Sequence, residues 1–306
     1  MEILHYKGGI SMQDNILLRS FMFLPAYNER FIEKAVAGNA DAIILDMEDS
    51  VPKTKRAEAR EIIKECHKKG MFSDKKTFIR INTSDSEDFV WDLSTLCLED
   101  IDGFMPSKIE SADGIKFLNK LLSFLEIQKG FRNGKFLLAP LIETTKAIEN
   151  VNEIAKSSER LVALCLGGED YLNDLGSVYT YQETALVMPR AMVVNAARAN
   201  GLLPIDTPYL RIADIEGLEE HSILSYKNGF AGALLVNPKQ IDVVNKSYMP
   251  DEKKYEVSRA ILEACEDAEK RGESIVMYDG AMVGPPMRKR AEAVVRQIKL
   301  IEENGK

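Results

Sequence analysis

Phe136-Leu137-Leu138-Ala139-Pro140-Leu141-Ile142-Glu143-Thr144-Thr145-Lys146-Ala147-Ile148-Glu149-Asn150-Val151 is the stretch on which the fold turns. An apolar run ends on an acid, and an amphipathic segment begins at once. Continuous rather than alternating apolarity is how a strand covered on both faces reads. The same unit recurs along the chain, with candidate strands at 20–24, 42–46, 77–82, 103–106, 135–142, 161–166, 202–206 and 232–236. Between them lie helical patterns such as 54–69, 112–128, 144–157 and 189–199, the last with Pro189 placed to open it.

Repeated strand–helix units imply parallel strands joined by crossover helices. Eight of them predict an α/β chain closed into a (β/α)8 TIM-type barrel. A doubly wound open sheet is the alternative, but its first strand should lead into a GxGxxG turn. Here that strand leads into Pro25-Ala26-Tyr27-Asn28. The 306 residues suit a barrel of ~250 residues with extensions. The organisation expected is an N-terminal extension at 1–18, the barrel at 19–250 and a C-terminal helical extension at 251–306. In that extension a charged helix over 251–271 and a Gly/Pro-punctuated segment at 274–286 precede a final basic helix, the makings of a lid or an oligomer arm.

Composition narrows the classes. A net charge of −8 with no basic stripe argues against a nucleic-acid partner. No apolar run approaches the ~20 residues that span a bilayer, so no membrane partner is expected. The start, MEILHYKGGI, does not read as a signal peptide. The four cysteines, Cys66, Cys97, Cys165 and Cys265, form no CxxC pair and read as small buried apolar residues of a cytoplasmic protein.

Barrel active sites lie at the carboxyl ends of the strands. Those ends carry Asp46, Glu48 and Asp49, then Arg80 and Asn82, Lys108, Glu143, and Gly167-Gly168-Glu169-Asp170. Acids converging on one rim repel one another unless a cation compensates them. None of the three histidines (His5, His67, His221) ends a strand, so the ligand set is oxygen and favours Mg²⁺, with Mn²⁺ as the alternative. Glu143 and Asp170 are the candidate metal ligands. Each has a plainer reading as an acid in the first turn of the next helix. Arg80 is the candidate anion holder, against a structural ion pair with Asp46, Glu48 or Asp49. Those three acids would surround the site, orienting Arg80 or bound waters. Lys108 as a Schiff-base lysine fits the convergent acids less well than metal chemistry does.

The series LDMEDSV, IRIN, PSKIES, APLIETTKAIENVNEIA, GGEDYLNDLG, PRAMVVNAARANGLLPID and NPKQIDVVNKSYMP resembles the citrate lyase beta-subunit-like family of the HpcH/HpaI aldolase superfamily, from about Arg19 to Ala293. The resemblance implies a β/α barrel, often a homotrimer or hexamer, with one Mg²⁺. By that resemblance Glu143 and Asp170 match the metal ligands and Arg80 the substrate-binding arginine. Three departures stand out. Pro25-Ala26-Tyr27-Asn28 replaces the family's PGN near the thioester carrier. Pro106-Ser107-Lys108 carries a residue more than its PK. Gly284 stands where the family has a lid aspartate thought to serve as acid/base, with Asp279 nearby but out of register.

Three functions follow as expectations. One is an Mg²⁺-dependent carbon–carbon lyase acting on a citryl-, malyl- or citramalyl-like thioester, carried by CoA or by an acyl-carrier protein, with acyl-carrier and transferase subunits as partners. In it Arg80 and Glu143 bind substrate, and Arg80, Glu143, Asp170 and Asp279 form the catalytic set. A second is a metal-dependent aldolase on free 2-oxo acids. A third is a binding subunit with weak catalysis, in keeping with Gly284.

Overall fold

The computed structural model describes residues 16–272 and 276–304. The chain runs β1 (Ser20–Pro25), α1 (Glu29–Val36), β2 (Ala42–Asp46), α2 (Arg56–Lys68), β3 (Lys76–Ile81), α3 (Glu87–Leu96), β4 (Gly103–Pro106), α4 (Ala112–Lys129), β5 (Leu137–Leu138) and β6 (Leu141–Ile142). It continues through α5 (Thr145–Glu149), α6 (Val151–Ala155), β7 (Ala163–Leu166), α7 (Gly168–Leu175), α8 (Val187–Ala199), β8 (Leu203–Asp206), α9 (Ile215–Lys227), β9 (Gly232–Leu235) and α10 (Ile241–Ser247). The last elements are α11 (Glu252–Lys270), β10 (Val276–Tyr278), β11 (Ala281–Val283) and α12 (Pro285–Glu303).

β1 to β9 form one parallel sheet ordered β5-β4-β3-β2-β1-β9-β8-β7-β6. Its two ends, β5 and β6, are consecutive pieces of one strand, so the nine pieces close a ring of eight. The break falls at Ala139-Pro140, because proline has no N–H to give a ladder. The Ala139 N–H still donates to Phe104 O (3.0 Å) on one side, and Pro140 O accepts from Cys165 N (3.0 Å) on the other. The single strand expected over 135–142 is therefore two, one paired to each neighbour. The helix expected over 144–157 likewise splits at Asn150 into α5 and α6. Pro189 does not open α8: the helix begins at Val187, behind a turn at Thr184–Leu186, and Pro189 sits in its first turn, where no intrahelical N–H bond is lost.

Burial follows the continuous strand pattern. Every residue of β2, β4 and β7 is buried, and the helices add Ile32, Ile63, Leu93, Ile115 and Leu122 to the same core. Ahead of β5, the Glu126 carboxylate accepts from the Gly134 and Phe136 N–H groups (2.9 Å each) and from Arg160 on both oxygens (2.6 Å each). Arg160 also reaches Phe136 O (3.0 Å), so one buried ion pair pins the start of the strand that ends at Glu143.

Contacts divide the chain into two compact units, one spanning Leu18–Tyr248 and one that includes Met249–Lys306. In the second, α11 and α12 pack around Ile261, Cys265, Val283 and Ala291. The β10–β11 hairpin turns on Asp279 (φ 49°) and Gly280 (φ 75°), the two left-handed positions for which an Asp-Gly pair is suited. Among the described residues no helix is long and apolar enough to cross a membrane. Residues 273–275, and 1–15 of the expected N-terminal extension, lie outside the described residues.

Candidate active site

The carboxyl ends of β2 to β7 bring most of the candidates to one rim. Strand register sets Asp46 beside Arg80. The guanidinium takes Asp46 as a two-pronged partner, Nε to Oδ1 and Nη2 to Oδ2, each 2.7 Å. Nη1 donates to Asp49 Oδ2 at 3.1 Å and lies 3.5 Å from Glu48 Oε2. The ring of Phe23 underlies it, 5.0 Å from the guanidinium carbon. Burial alone would raise the Asp46 carboxyl, but the hydrogen bonds and charge of Arg80 hold it below the usual range. The plainer reading of Arg80, an ion pair with these acids, is thus the arrangement present. Its three acidic partners are not equal, however: the Asp46 side chain is 2% exposed and that of Asp49 55%. Asp49 is the partner that solvent reaches.

Glu143 does not cap the helix that follows it. Thr144 does, accepting from the Ala147 N–H at 3.0 Å. The Glu143 carboxylate instead accepts from the backbone N–H of Lys108 at 2.7 Å, across from the end of β4. Lys108 holds that N–H in place with a left-handed backbone (φ 51°), and its Nζ reaches Glu48 Oε1 at 3.2 Å. Lys108 therefore ties two acids of the rim together. Burial, aided by the charges of Asp170 and Glu48 and opposed by the Lys108 N–H, pushes the Glu143 carboxyl up to about 7.

The two glycines before Glu169-Asp170 are spaces as much as turns. A Cβ on Gly167 would lie 2.7 Å from Glu143 Oε2, and one on Gly168 would lie 2.6 Å from Thr207 Oγ1. The backbone of α7 thus passes against both side chains, carrying Asp170 in its first turn where the helix dipole favours an acid. Thr207, whose hydroxyl accepts the Gly168 N–H at 3.0 Å, was not legible as a site residue. Its one signal is its place directly after the end of β8.

A divalent cation fits this donor set. A buried carboxylate whose proton affinity is raised by two acids nearby is relieved by a positive charge. No group of three or more His, Cys, Asp or Glu side chains suited to a metal occurs among the described residues. A pair of carboxylates meets the need of Mg²⁺, which keeps several waters and takes one or two protein carboxylates. Asp279 lies in the hairpin of the second unit, and Gly284 is the extended N-cap of α12 (φ −112°, ψ −178°).

A cavity of about 740 Å³ is lined mainly by residues of α8 and α9. Of its ionic groups, Arg190 reaches Glu183 (2.7 Å) and Asp206 (2.9 Å), and Arg198 donates to Gly229 O (2.7 and 3.0 Å). All four cysteines are free and buried, as their scattered spacing suggested. Burial raises the thiols of Cys66 to about 11 and Cys97 to about 12, which makes them inert.

The family model described as HpcH/HpaI aldolase/citrate lyase matches residues 19–238, the barrel that carries this site. The chain belongs to that family. It is 31% identical over 282 residues to the citrate lyase subunit beta of Escherichia coli K12, covering 92% of this chain and 93% of that one. It is also 31% identical over 303 residues to the L-malyl-CoA/beta-methylmalyl-CoA lyase of Cereibacter sphaeroides, covering 92% and 95%. The fold is similar to the crystal structure of protein CitE from Mycobacterium tuberculosis in complex with magnesium, acetoacetate and coenzyme A. The TM-score there is 0.76 at 26% identity, with 93% of this chain and 99% of that one covered. The citrate lyase beta and malyl-CoA lyase family consists of metal-dependent oxo-acid lyases that act on carbon–carbon bonds.

Proposed function

We propose that the chain cleaves a hydroxyacyl thioester of the citryl, malyl or citramalyl kind into an oxo acid and an acyl thioester, with Mg²⁺ held by Glu143 and Asp170. The observation that carries this reading is Glu143 itself: a buried carboxylate at a barrel strand end, fixed by a backbone N–H and raised in its proton affinity by burial and by the charges of Asp170 and Glu48. When bound by Glu143 and Asp170, Mg²⁺ would supply Lewis acidity toward a substrate oxygen. Arg80 holds a substrate carboxylate in place of its exposed partner Asp49, while Asp46 keeps the guanidinium aimed. Lys108 fixes Glu143 through its N–H and presents a cation to the same rim.

The thioester is preferred over a free 2-oxo acid because the chain is 31% identical to an L-malyl-CoA/beta-methylmalyl-CoA lyase, and Ala26 does not oppose it. The side chain that replaces the family's glycine is fully buried in the barrel core, and the Ala26 N–H is held by Asp46 O at 3.1 Å. The added methyl group is therefore taken up within the core and does not stand on the surface a carrier would meet. A direct test is to supply purified protein and Mg²⁺ with citryl-, malyl- and citramalyl-CoA, the same acyl groups on an acyl-carrier protein, and the free acids. Release of oxo acid from a thioester is expected. Cleavage confined to free 2-oxo acids would turn the assignment to the aldolase reading, and binding without turnover would turn it to the binding-subunit reading.

A further inference from the structure

Glu48 stands out on the rim because its charge is only half used. It lies two residues past β2 and is 5% exposed. Its own N–H donates to Asp46 Oδ1 at 2.9 Å, and its carbonyl accepts from Val51 N at 3.1 Å, so the backbone is fixed on both sides. Oε1 accepts from Lys108 Nζ at 3.2 Å. Oε2 has neither solvent nor a hydrogen-bond partner; its nearest cation is Arg80 Nη1 at 3.5 Å, whose hydrogen bond goes to Asp49. A buried acceptor left open is costly to a fold unless something fills it in the working state. Glu48 also borders a cavity of about 270 Å³, whose lining includes Asp49, Arg56, Asn82, Asp85 and Lys108.

The open atom selects its partner by chemistry. Near the bond to be broken, an ionised hydroxyacyl thioester carries carboxylate and carbonyl oxygens, which only accept, and one hydroxyl, which donates. Arg80 and Lys108 serve the acceptors. Oε2 of Glu48 matches the donor. We infer that Glu48 is the proton shuttle of the reaction: it takes the hydroxyl proton and returns it to the carbon that leaves.

This inference rests on the thioester-lyase reading, and its steps balance without any other reactant. The O–H bond breaks with its proton moving to Glu48 Oε2. The electron pair left on oxygen forms the carbonyl of the oxo acid. The carbon–carbon bond breaks, and its pair becomes the enolate of the acyl thioester. The Glu48 carboxylic acid then gives the same proton to the enolate carbon, forming the C–H bond and restoring the carboxylate. Burial raises the Glu48 carboxyl and Asp49 adds to this, while Arg80 and Lys108 oppose it. That balance suits a group that must both take and release a proton. It also gives Gly284 a simple meaning, since a shuttle already on the barrel needs no second carboxylate from α12.

The test is Glu48→Gln, which keeps the shape and the acceptor for Lys108 but cannot carry the proton. Cleavage of the thioester used by the wild type should fall in kcat by ~10²–10⁴. KM, Mg²⁺ affinity by calorimetry and the thermal midpoint should stay near wild type. Acetyl-CoA incubated with the oxo acid, Mg²⁺ and D₂O should take up deuterium at its methyl carbon with the wild type and not with Glu48→Gln. Glu48→Asp should recover part of both activities and keep the acidic limb of the pH–rate profile, which Glu48→Gln loses. Near-wild-type cleavage or exchange by Glu48→Gln would overturn the inference and leave the lyase reading standing. Loss of Mg²⁺ affinity in step with kcat would overturn it in favour of a metal-holding role. A wild type that cleaves no thioester would overturn the lyase reading first, and this inference with it.

Discussion

Glu143 is the residue on which the proposed site depends, and its environment makes a prediction with a definite sign. A carboxyl raised to about 7 in the folded chain, from about 4.5 when unfolded, binds its proton more tightly when folded. Its contribution to stability is therefore present at low pH and is lost as pH rises from about 4.5 through about 7. In metal-free protein, urea midpoints should fall across that window, and Glu143→Gln should flatten the fall. Mg²⁺ must displace the same proton, so its affinity should weaken ~10-fold per pH unit below the folded pKa. A calorimetric affinity that ignores pH there would contradict this account of Glu143. Arg80→Lys tests the neighbouring anion holder. A lysine cannot grip Asp46 with two prongs, so kcat/KM should drop by at least ~10² and stability by ~3 kcal/mol, since the buried Asp46 loses its fixed partner. Kinetics and urea unfolding of the one variant read both losses.

At the scale of elements, the strand ends were legible because fully buried parallel strands read as continuous apolar runs, and the acids that end them stand out. What joins those ends was not. The bond from the Lys108 N–H to Glu143 is made by backbone across 35 residues of sequence, and no residue type announces it. The break of one strand at Ala139-Pro140 was foreshadowed by the proline. The split at Asn150 was not, because the apolar spacing of Ala147, Ile148, Val151 and Ile154 continues through it. Arg80 was read as an anion holder or an ion pair, and register with Asp46 makes it an ion pair with one exposed partner, Asp49. The Glu126–Arg160 pair, invisible to local pattern, anchors β5. Removing one partner leaves a buried charge unpaired, so Glu126→Ala should cost ~3–5 kcal/mol in urea unfolding. A loss below 1 kcal/mol would show that the pair does not pin the strand. Gly284→Asp should be tolerated, since a Cβ there meets only Pro286 Cδ at 3.8 Å. An acid also suits that N-cap position, so the thermal midpoint should hold or rise slightly.

For the whole molecule, repeated units predicted a closed barrel and the ring closes, with β5 paired to β4 and β6 to β7 as pieces of one strand. The motifs carried family membership, which the match over residues 19–238 bears out. The precise acyl group was not legible, since it is chosen by the shape of a rim assembled from several loops. The two compact units differ in depth of core: among the described residues the second buries Ile261, Cys265, Ala268, Val283, Ala291, Val294, Ile298 and Ile301, far fewer apolar side chains than the barrel. It should open more readily than the barrel. Under mild denaturant Cys265 should react with a thiol reagent well before Cys66, Cys97 and Cys165. Equal rates at all four would deny that difference. The account as a whole stands on an Mg²⁺-dependent cleavage that runs through Glu143. Its most direct test is the initial rate of oxo-acid release from the preferred hydroxyacyl thioester, followed against Mg²⁺ concentration in the wild type and in Glu143→Gln. The account predicts saturable activation of the wild type, abolished by a chelator, and a variant at least ~10³-fold slower at every Mg²⁺ concentration. Cleavage that survives the chelator, or a variant that matches the wild type, would contradict it.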